Sequence, residues 1–317
     1  MTDTQNEVFK SPVNKIRLFE HGAPGSQNLK LTRKYYTEDM PDGRVKHIVQ
    51  NITDPDIVPY IPDGIGNSTD RQRIPAVLII PGGAFRRLVY NFEGEDVAKW
   101  LNSMGIAAFV LECRLPSDEH DNAEDVPLID AMRAMRVIRG RAQEFGIDEA
   151  KIGVMGFSAG GFMAALLSTA YESDVYADYK YKDEYDKLSA RPDFAVCSYP
   201  VISIDDCIEA GKIYMSEEQV LERISDSKAK ILHKYNPDKL VRPDMPPVFI
   251  CETDDDRTTL SENSVGFYMA ARKAGVSAEL HIFRTGGHGY GCGDDFAQTG
   301  EWKVLFTKWI KSIGIIS

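Results

Sequence analysis

Gly156-Phe157-Ser158-Ala159-Gly160 is the stretch on which the fold turns. It follows the apolar run Ile152-Gly153-Val154-Met155 and leads into Gly161-Phe162-Met163-Ala164-Ala165-Leu166-Leu167, a small-residue segment of helical character. Strand, tight turn with serine at the apex, then helix is the context that makes G-x-S-x-G a nucleophile elbow rather than a chance pattern. So sharp a turn strains the serine backbone and admits only small residues two before and two after, a need that Gly156 and Gly160 meet. The helix beyond aims free N–H groups and the positive end of its dipole at the serine, where negative charge would develop. The stretch predicts a serine hydrolase.

Working outward, Ala76–Ile80, Ile106–Leu111, Ile152–Met155, Phe194–Tyr199, Val248–Cys251 and Ala278–Phe283 are short, continuous apolar runs. Such runs suit strands of a parallel sheet buried on both faces. Between them lie segments of helical length and period. Glu93–Met104 carries Val97, Trp100 and Leu101 on one face, and Pro127–Phe145 carries Ile129, Met132, Met135, Val137 and Ile138. Ser261–Ala274 and Gln298–Ile313 complete the set. The alternation predicts a doubly wound, mostly parallel α/β sheet spanning residues 1–317 as one domain.

Residues 1–73 are polar and turn-rich, an N-terminal extension in which Leu31–Thr37 and Arg44–Thr53 alternate as edge strands do and Asp54–Gly66 is broken by Pro and Gly. Tyr171–Ala190, rich in Tyr, Asp and Lys, is expected as a solvated excursion. Ser203–Asp244 interrupts the alternation with a helix over Glu217–Leu232. Because ligands bind beyond the carboxyl ends of such strands, this insertion is expected to be a small lid, with surface decoration as the alternative.

The chain has 317 residues, 43% hydrophobic and 27% charged, the balance of an ordinary globular protein. A formal net charge of -11 argues against nucleic acid and anionic membranes as partners, and Arg86-Arg87 is too small an exception to alter that. The N-terminus lacks the basic start and apolar core of a signal peptide, and no apolar run has transmembrane length. Five cysteines without a C-x-x-C suit free thiols, with Cys113, Cys197 and Cys251 in apolar runs. From these features the cytoplasm is the expected location.

A serine hydroxyl needs a base to take its proton, and that base is best a histidine oriented by a carboxylate. In this fold the order along the chain is Ser, acid, His. Of six histidines, His21, His47 and His120 precede the elbow, His233 ends the insertion helix and His281 lies inside the last strand. His288, in the glycine-rich loop Thr285-Gly286-Gly287-His288-Gly289-Tyr290-Gly291 just past that strand, is the candidate base. The acid is expected after Pro247-Val248-Phe249-Ile250-Cys251, among Asp254, Asp255 and Asp256. Consecutive carboxylates lack the alternation of a cation-binding loop. Spacing prefers Asp256. Pro81-Gly82-Gly83-Ala84-Phe85 follows the first long apolar strand, where hydrolases place an oxyanion loop, so N–H groups of Gly83 and Ala84 join that of Ala159 as candidate donors.

Taken together these words resemble the α/β-hydrolase esterases of the acetylxylan-esterase and BD-FAE (bifunctional carbohydrate esterase) type. The matching segments are Ile80-Pro81-Gly82-Gly83-Ala84-Phe85, Glu93-Gly94-Glu95, Ile152 to Gly161, Arg191-Pro192-Asp193-Phe194-Ala195, Glu262-Asn263-Ser264 and Gly286-Gly287-His288-Gly289-Tyr290-Gly291. The resemblance runs from about Ile74 to the C-terminus and implies Ser158 as nucleophile, His288 as base and Asp256 as acid. Four residues depart from the family pattern: Ala84 for a third glycine, Glu252 for histidine or glycine, Thr259 for valine and Cys113 for tyrosine. With Thr259 in place, the preference for Asp256 over Asp255 rests mainly on the register of Glu262-Asn263-Ser264.

The sequence thus predicts a carboxylesterase acting on short acyl, chiefly acetyl, esters of a sugar or oligosaccharide, with Phe85 and Tyr199 as substrate contacts. No metal or organic cofactor is required, the partner is a small-molecule ester, and a homo-oligomer stays open. Trp100, Trp302 and Trp309 fall at core spacing on helices, so none is an obvious sugar platform. Two alternatives remain: a prolyl-oligopeptidase-like peptidase, whose usual N-terminal propeller some 75 polar residues cannot build, and an inactive hydrolase fold used as a binding protein.

Overall fold

A computed structural model describes residues 9–64, 73–205, 208–209, 212, 216, 218–219, 229–293 and 298–317. Its strands are β1 (Ile16–Arg17), β2 (Lys34–Asp39), β3 (Val45–Gln50), β4 (Asp56–Tyr60), β5 (Ile74–Ile80), β6 (Leu88–Val89), β7 (Ala107–Glu112), β8 (Ile147–Phe157), β9 (Ala195–Ser198), β10 (Val248–Thr253) and β11 (Ala278–Phe283). The helices are α1 (Asp96–Ser103), α2 (Val126–Gly140), α3 (Ala142–Phe145), α4 (Ala159–Ala170), α5 (Ala229–Lys234), α6 (Ser261–Lys273) and α7 (Glu301–Ser312). Among these residues no helix is long and apolar enough to cross a membrane.

Eight strands form the main sheet in the order β1-β4-β7-β5-β8-β9-β10-β11. From β7 to β11 all neighbours are parallel, and every residue of β7, β9 and β10 is buried. That double burial is why these strands read as unbroken apolar runs. The chain leaves β5 towards β7 but leaves β8 in the opposite direction, towards β9. With right-handed crossovers, α1 therefore lies on one face and α2, α4 and α6 on the other. Trp100 of α1 packs edge-on against Trp302 of α7 at 4.9 Å, closing the first face. The reversal puts a crevice between the carboxyl ends of β5 and β8, the place where open α/β sheets bind ligands. The oxyanion loop and the serine turn emerge there, side by side.

The N-terminal extension departs from expectation in two ways. β2 and β3 are not edges of the main sheet; they pair with each other and, through β3, with β6 in a separate three-stranded sheet. Their turn, Met40-Pro41-Asp42-Gly43-Arg44, supplies its own closure. Gly43 takes a φ of 83°, Met40 N–H donates to Arg44 O at 2.7 Å, and the Asp42 carboxylate accepts from Arg44 N–H. The main-sheet edge is instead built by β1 and by β4, the latter within the Asp54–Gly66 stretch whose Pro and Gly suggested a break. Pro59 is tolerated in β4 because β1 pairs only with Asp56 and Ile57, leaving the outer side of Pro59 without a ladder to interrupt.

Tyr171–Ala190 is only partly a solvated excursion. Tyr176 is buried, and Asp183 and Asp186 hold the Arg133 guanidinium of α2. Cys113, Cys197, Cys251 and Cys292 are buried free thiols, while Cys207 lies outside the described residues. So does much of the helix expected over Glu217–Leu232; its described end is α5, whose last residue Lys234, with Tyr235 just beyond, holds Asp125 at the start of α2.

Candidate active site

Ser158 stands between β8 and α4 with φ 54° and ψ -119°, a conformation that costs a non-glycine residue on the order of 1–3 kcal/mol and persists only where its surroundings enforce it. Those surroundings leave no slack. A Cβ on Gly156 would lie 1.9 Å from Gly160 O, and one on Gly160 would lie 1.9 Å from Ile80 O. Ser158 N–H donates to Ser198 O of β9 at 3.0 Å, which ties the turn to the neighbouring strand. Ala159 opens α4, so its N–H is one of the donors that a helix cannot satisfy internally.

His288 Nε2 lies 2.8 Å from Ser158 Oγ, and His288 Nδ1 lies 2.7 Å from Asp256 Oδ2. Asp256, not Asp255, meets the imidazole. Its carboxylate also accepts N–H groups from Thr258 at 2.7 Å and Thr259 at 3.0 Å, and the Thr259 hydroxyl at 3.0 Å. Burial pushes the Asp256 carboxyl up, but the His288 bond and attraction and these backbone donors together outweigh it and hold it below the usual carboxylate range. Asp255 serves the same loop differently, accepting Gly287 N–H at 2.8 Å. Although rich in glycine, the loop is well held. Thr253 donates to Gly287 O, Gly291 N–H donates to Tyr199, and Trp302 Nε1–H donates to Gly291 O.

Glu252, fully buried next to this array, takes the Thr253 N–H and the Ser264 hydroxyl. Burial, then repulsion from Asp256, drives its carboxyl well above the ordinary range, so the two neighbouring acids are shifted in opposite directions.

In the loop after β5, Gly83 (φ 139°), Ala84 (57°) and Phe85 (58°) are all left-handed. The N–H groups of Gly83 and Ala84 have no hydrogen-bond partner among the described residues. Gly82 N–H is taken by the Glu93 carboxylate at 2.8 Å, and the other Glu93 oxygen accepts the Tyr199 hydroxyl at 2.9 Å. Burial raises the Glu93 carboxyl above its ordinary value. The sequence marked Glu93 only as part of a matching word; its role in fixing the loop depends on a contact eleven residues away. Tyr199, expected as a substrate contact, is fully buried beneath the His288 loop and cannot reach a bound ester. Its apolar ring packs edge-on against His288 at 5.0 Å, so it supports the site from below.

Two cavities meet at the serine turn. A narrow one of about 10 Å³, room for roughly a single water, is lined beside Ala159 by Gly82, Phe85, Leu88, Cys113 and Met163, with Arg87 and Arg114 also at its wall. The other, about 240 Å³, holds Ser158 and His288 and is walled by Gly83, Ala84, Val89, Phe92 and Thr258, with three cations from the N-terminal sheet and its connections. The tryptophans line neither. Among the described residues no three His, Cys, Asp or Glu side chains converge as a metal site would need.

Residues 65–270 match the BD-FAE family model. The chain belongs to the BD-FAE family. It is 31% identical over 240 residues to an acetylxylan esterase of Xylanibacter ruminicola, covering 75% of this chain and 45% of that protein. To an endo-1,4-beta-xylanase B of Butyrivibrio fibrisolvens it is 30% identical over 226 residues, covering 71% and 34%. This BD-FAE chain thus spans less than half the length of either relative. A solved acetyl ester-xyloside bifunctional hydrolase from Caldicellulosiruptor lactoaceticus superposes with a TM-score of 0.67 at 37% identity, over 84% of this chain and 91% of that one. A carboxylesterase from Lactobacillus plantarum, 20% identical over 90% and 99% of the two chains, shares the α/β-hydrolase fold at the same TM-score. Thr259 adds a hydroxyl donor to the acid where valine would offer none, and Cys113 lines the narrow cavity.

Proposed function

We propose that this chain is a serine carboxylesterase that hydrolyses short-chain acyl esters, acetyl above all, of sugars or oligosaccharides. Ser158 attacks the ester carbonyl as His288 Nε2 takes its proton, and Asp256 holds the imidazole in register and stabilises its charged form. The N–H groups of Gly83, Ala84 and Ala159 receive the developing oxyanion; losing one such donor typically costs about 2.7–4 kcal/mol in the transition state. His288 then protonates the departing alcohol, and water releases the acid from the acyl-enzyme.

The observation that carries the proposal is the unbroken Ser158–His288–Asp256 hydrogen-bond chain beside a loop with unclaimed N–H groups. The narrow cavity next to Ala159 has room for a methyl-sized group at most, which supports acetyl over longer acyl groups, and the wider polar one supports an alcohol with many hydroxyls. The sugar assignment leans on the relatives, which are named for acetylxylan and acetyl ester-xyloside. The insertion 203–244 would act as a small lid, since the chain departs towards it just after Val201 N–H touches Ser158 O.

Hydrolysis of 4-nitrophenyl acetate by the wild type and by Ser158→Ala tests the chemistry. A fall in kcat of about 10⁶-fold is expected; equal rates would end the proposal. Acetate release from acetylated xylo-oligosaccharides, beside 4-nitrophenyl esters of increasing chain length, tests the substrate class. Activity confined to long-chain or amide substrates would overturn that part.

A further inference from the structure

Arg44, Lys46 and Arg87 line the wider cavity that holds Ser158 and His288, in a chain whose formal net charge is -11. All three come from the N-terminal sheet or its connections: Arg44 from the β2–β3 turn, Lys46 from β3 and Arg87 from the segment entering β6. The Arg44 guanidinium pairs with Asp42 and lies over the Phe92 ring at 5.3 Å, and Arg87 pairs with Glu38. Neither Asp42 nor Glu38 lines the cavity, so these pairs reach away from it. Lys46 makes no ion pair among the described residues. The one carboxylate among the lining residues is Glu93, whose oxygens already hold Gly82 N–H and the Tyr199 hydroxyl.

Lys46 is attracted to the Glu93 carboxylate of the same wall but makes no close ion pair with it, and an ammonium held this loosely in a concave wall draws anions, because the low-dielectric surroundings focus its field. Half-exposed ion pairs such as Arg87–Glu38 hold each other weakly, so the guanidinium can turn to a bound anion at little cost. A guanidinium fork also matches a carboxylate with two parallel bonds. The small cavity beside Ala159 takes at most a methyl-sized group and is itself bordered by Arg87, so the rest of the ester, chiefly its alcohol, lies in the wider cavity against Arg44, Lys46 and Arg87.

We propose that the site selects acyl esters whose alcohol carries a carboxylate: an acylated uronic acid, or a sugar chain bearing one. This substrate class rests on the esterase proposal above. It assigns Arg87 a task that Arg86-Arg87 does not suggest as a bare dipeptide.

The test compares acetate release from a monoacetylated methyl glucuronoside and from its carboxamide, identical but for the charge. For the wild type at low salt, kcat/KM favours the acid by about tenfold, expressed mainly in KM. Added salt shrinks the ratio, and Lys46→Gln combined with Arg87→Gln brings it close to one. Because each ratio is taken within one protein, a general loss of activity in the variant does not mimic the effect. Equal wild-type rates on acid and amide, or a ratio that survives in the double variant, overturn the preference alone. No acetate from either sugar and no hydrolysis of 4-nitrophenyl acetate overturn the esterase proposal beneath it.

Discussion

The parallel sheet and the three-stranded sheet wall the same cavity under opposite constraints. At the carboxyl ends of β5 and β8 the residues are boxed in by their neighbours: Val77, Leu78 and Ile79 are wholly buried, and the two elbow glycines face backbone oxygens that cannot yield. In β2 and β3 most side chains are half-exposed, charges pair across the surface, and the turn glycine Gly43 has nothing within 4 Å of where a Cβ would stand. Alignment of reacting groups comes from the first region. On our proposal, contacts that discriminate among substrates come from the second, where a side chain can change without disturbing the fold.

The sharpest break within the rigid half comes from the acid. Asp256→Asn leaves the fold in place yet lowers kcat about 10⁴-fold, because an amide no longer favours the imidazole tautomer that accepts from Ser158. Ester hydrolysis with a thermal melt on the same preparation checks both halves of that statement. A pair of matched substitutions then separates the two regions. Gly160→Ala costs about 3 kcal/mol or more, since backbone must move, whereas Gly43→Ala costs only about 1 kcal/mol, the strain of a left-handed alanine. Denaturant titration of the two variants reads the difference, and equal losses would dissolve the contrast.

The smallest effect expected is one of pH. The native carboxyl of Glu252 is raised above its ordinary 4.5, so its stabilising contribution is present below that value and lost as pH rises through the native one. Glu252→Gln, which keeps the shape, therefore gains stability relative to the wild type between acid and neutral pH. Asp256 runs the other way: held below its ordinary 3.8, it stabilises above that value and the contribution fades as pH falls through its native value. Unfolding free energies of wild type and Glu252→Gln across this range supply the check, and a gap that stays flat with pH would refute it.

Much of this architecture was legible in the residues. Continuous apolar runs marked the buried strands, because burial on both faces erases alternation, and the steric demands of the elbow singled out Gly156, Ser158 and Gly160. β4 was hidden by its prolines, since whether Pro59 breaks a ladder depends on how far β1 reaches. Tyr199, at the end of the apolar run Phe194–Tyr199, is expected from the sequence as a substrate contact, but a tyrosine whose hydroxyl has two buried partners can sit under the site instead. Asp255 and Asp256 are identical in type and adjacent, and only the path of the turn decides which one faces the imidazole. Glu93 gave no local signal because both of its partners are distant in sequence.

The Tyr199 hydroxyl accepts from the His288 loop and donates to Glu93, which in turn grips the loop after β5. Two segments some two hundred positions apart are thereby gauged against one shared post. A change that remodels the outer wall need not disturb their mutual spacing, so the pocket is free to drift towards new esters while the machinery beneath it stays calibrated.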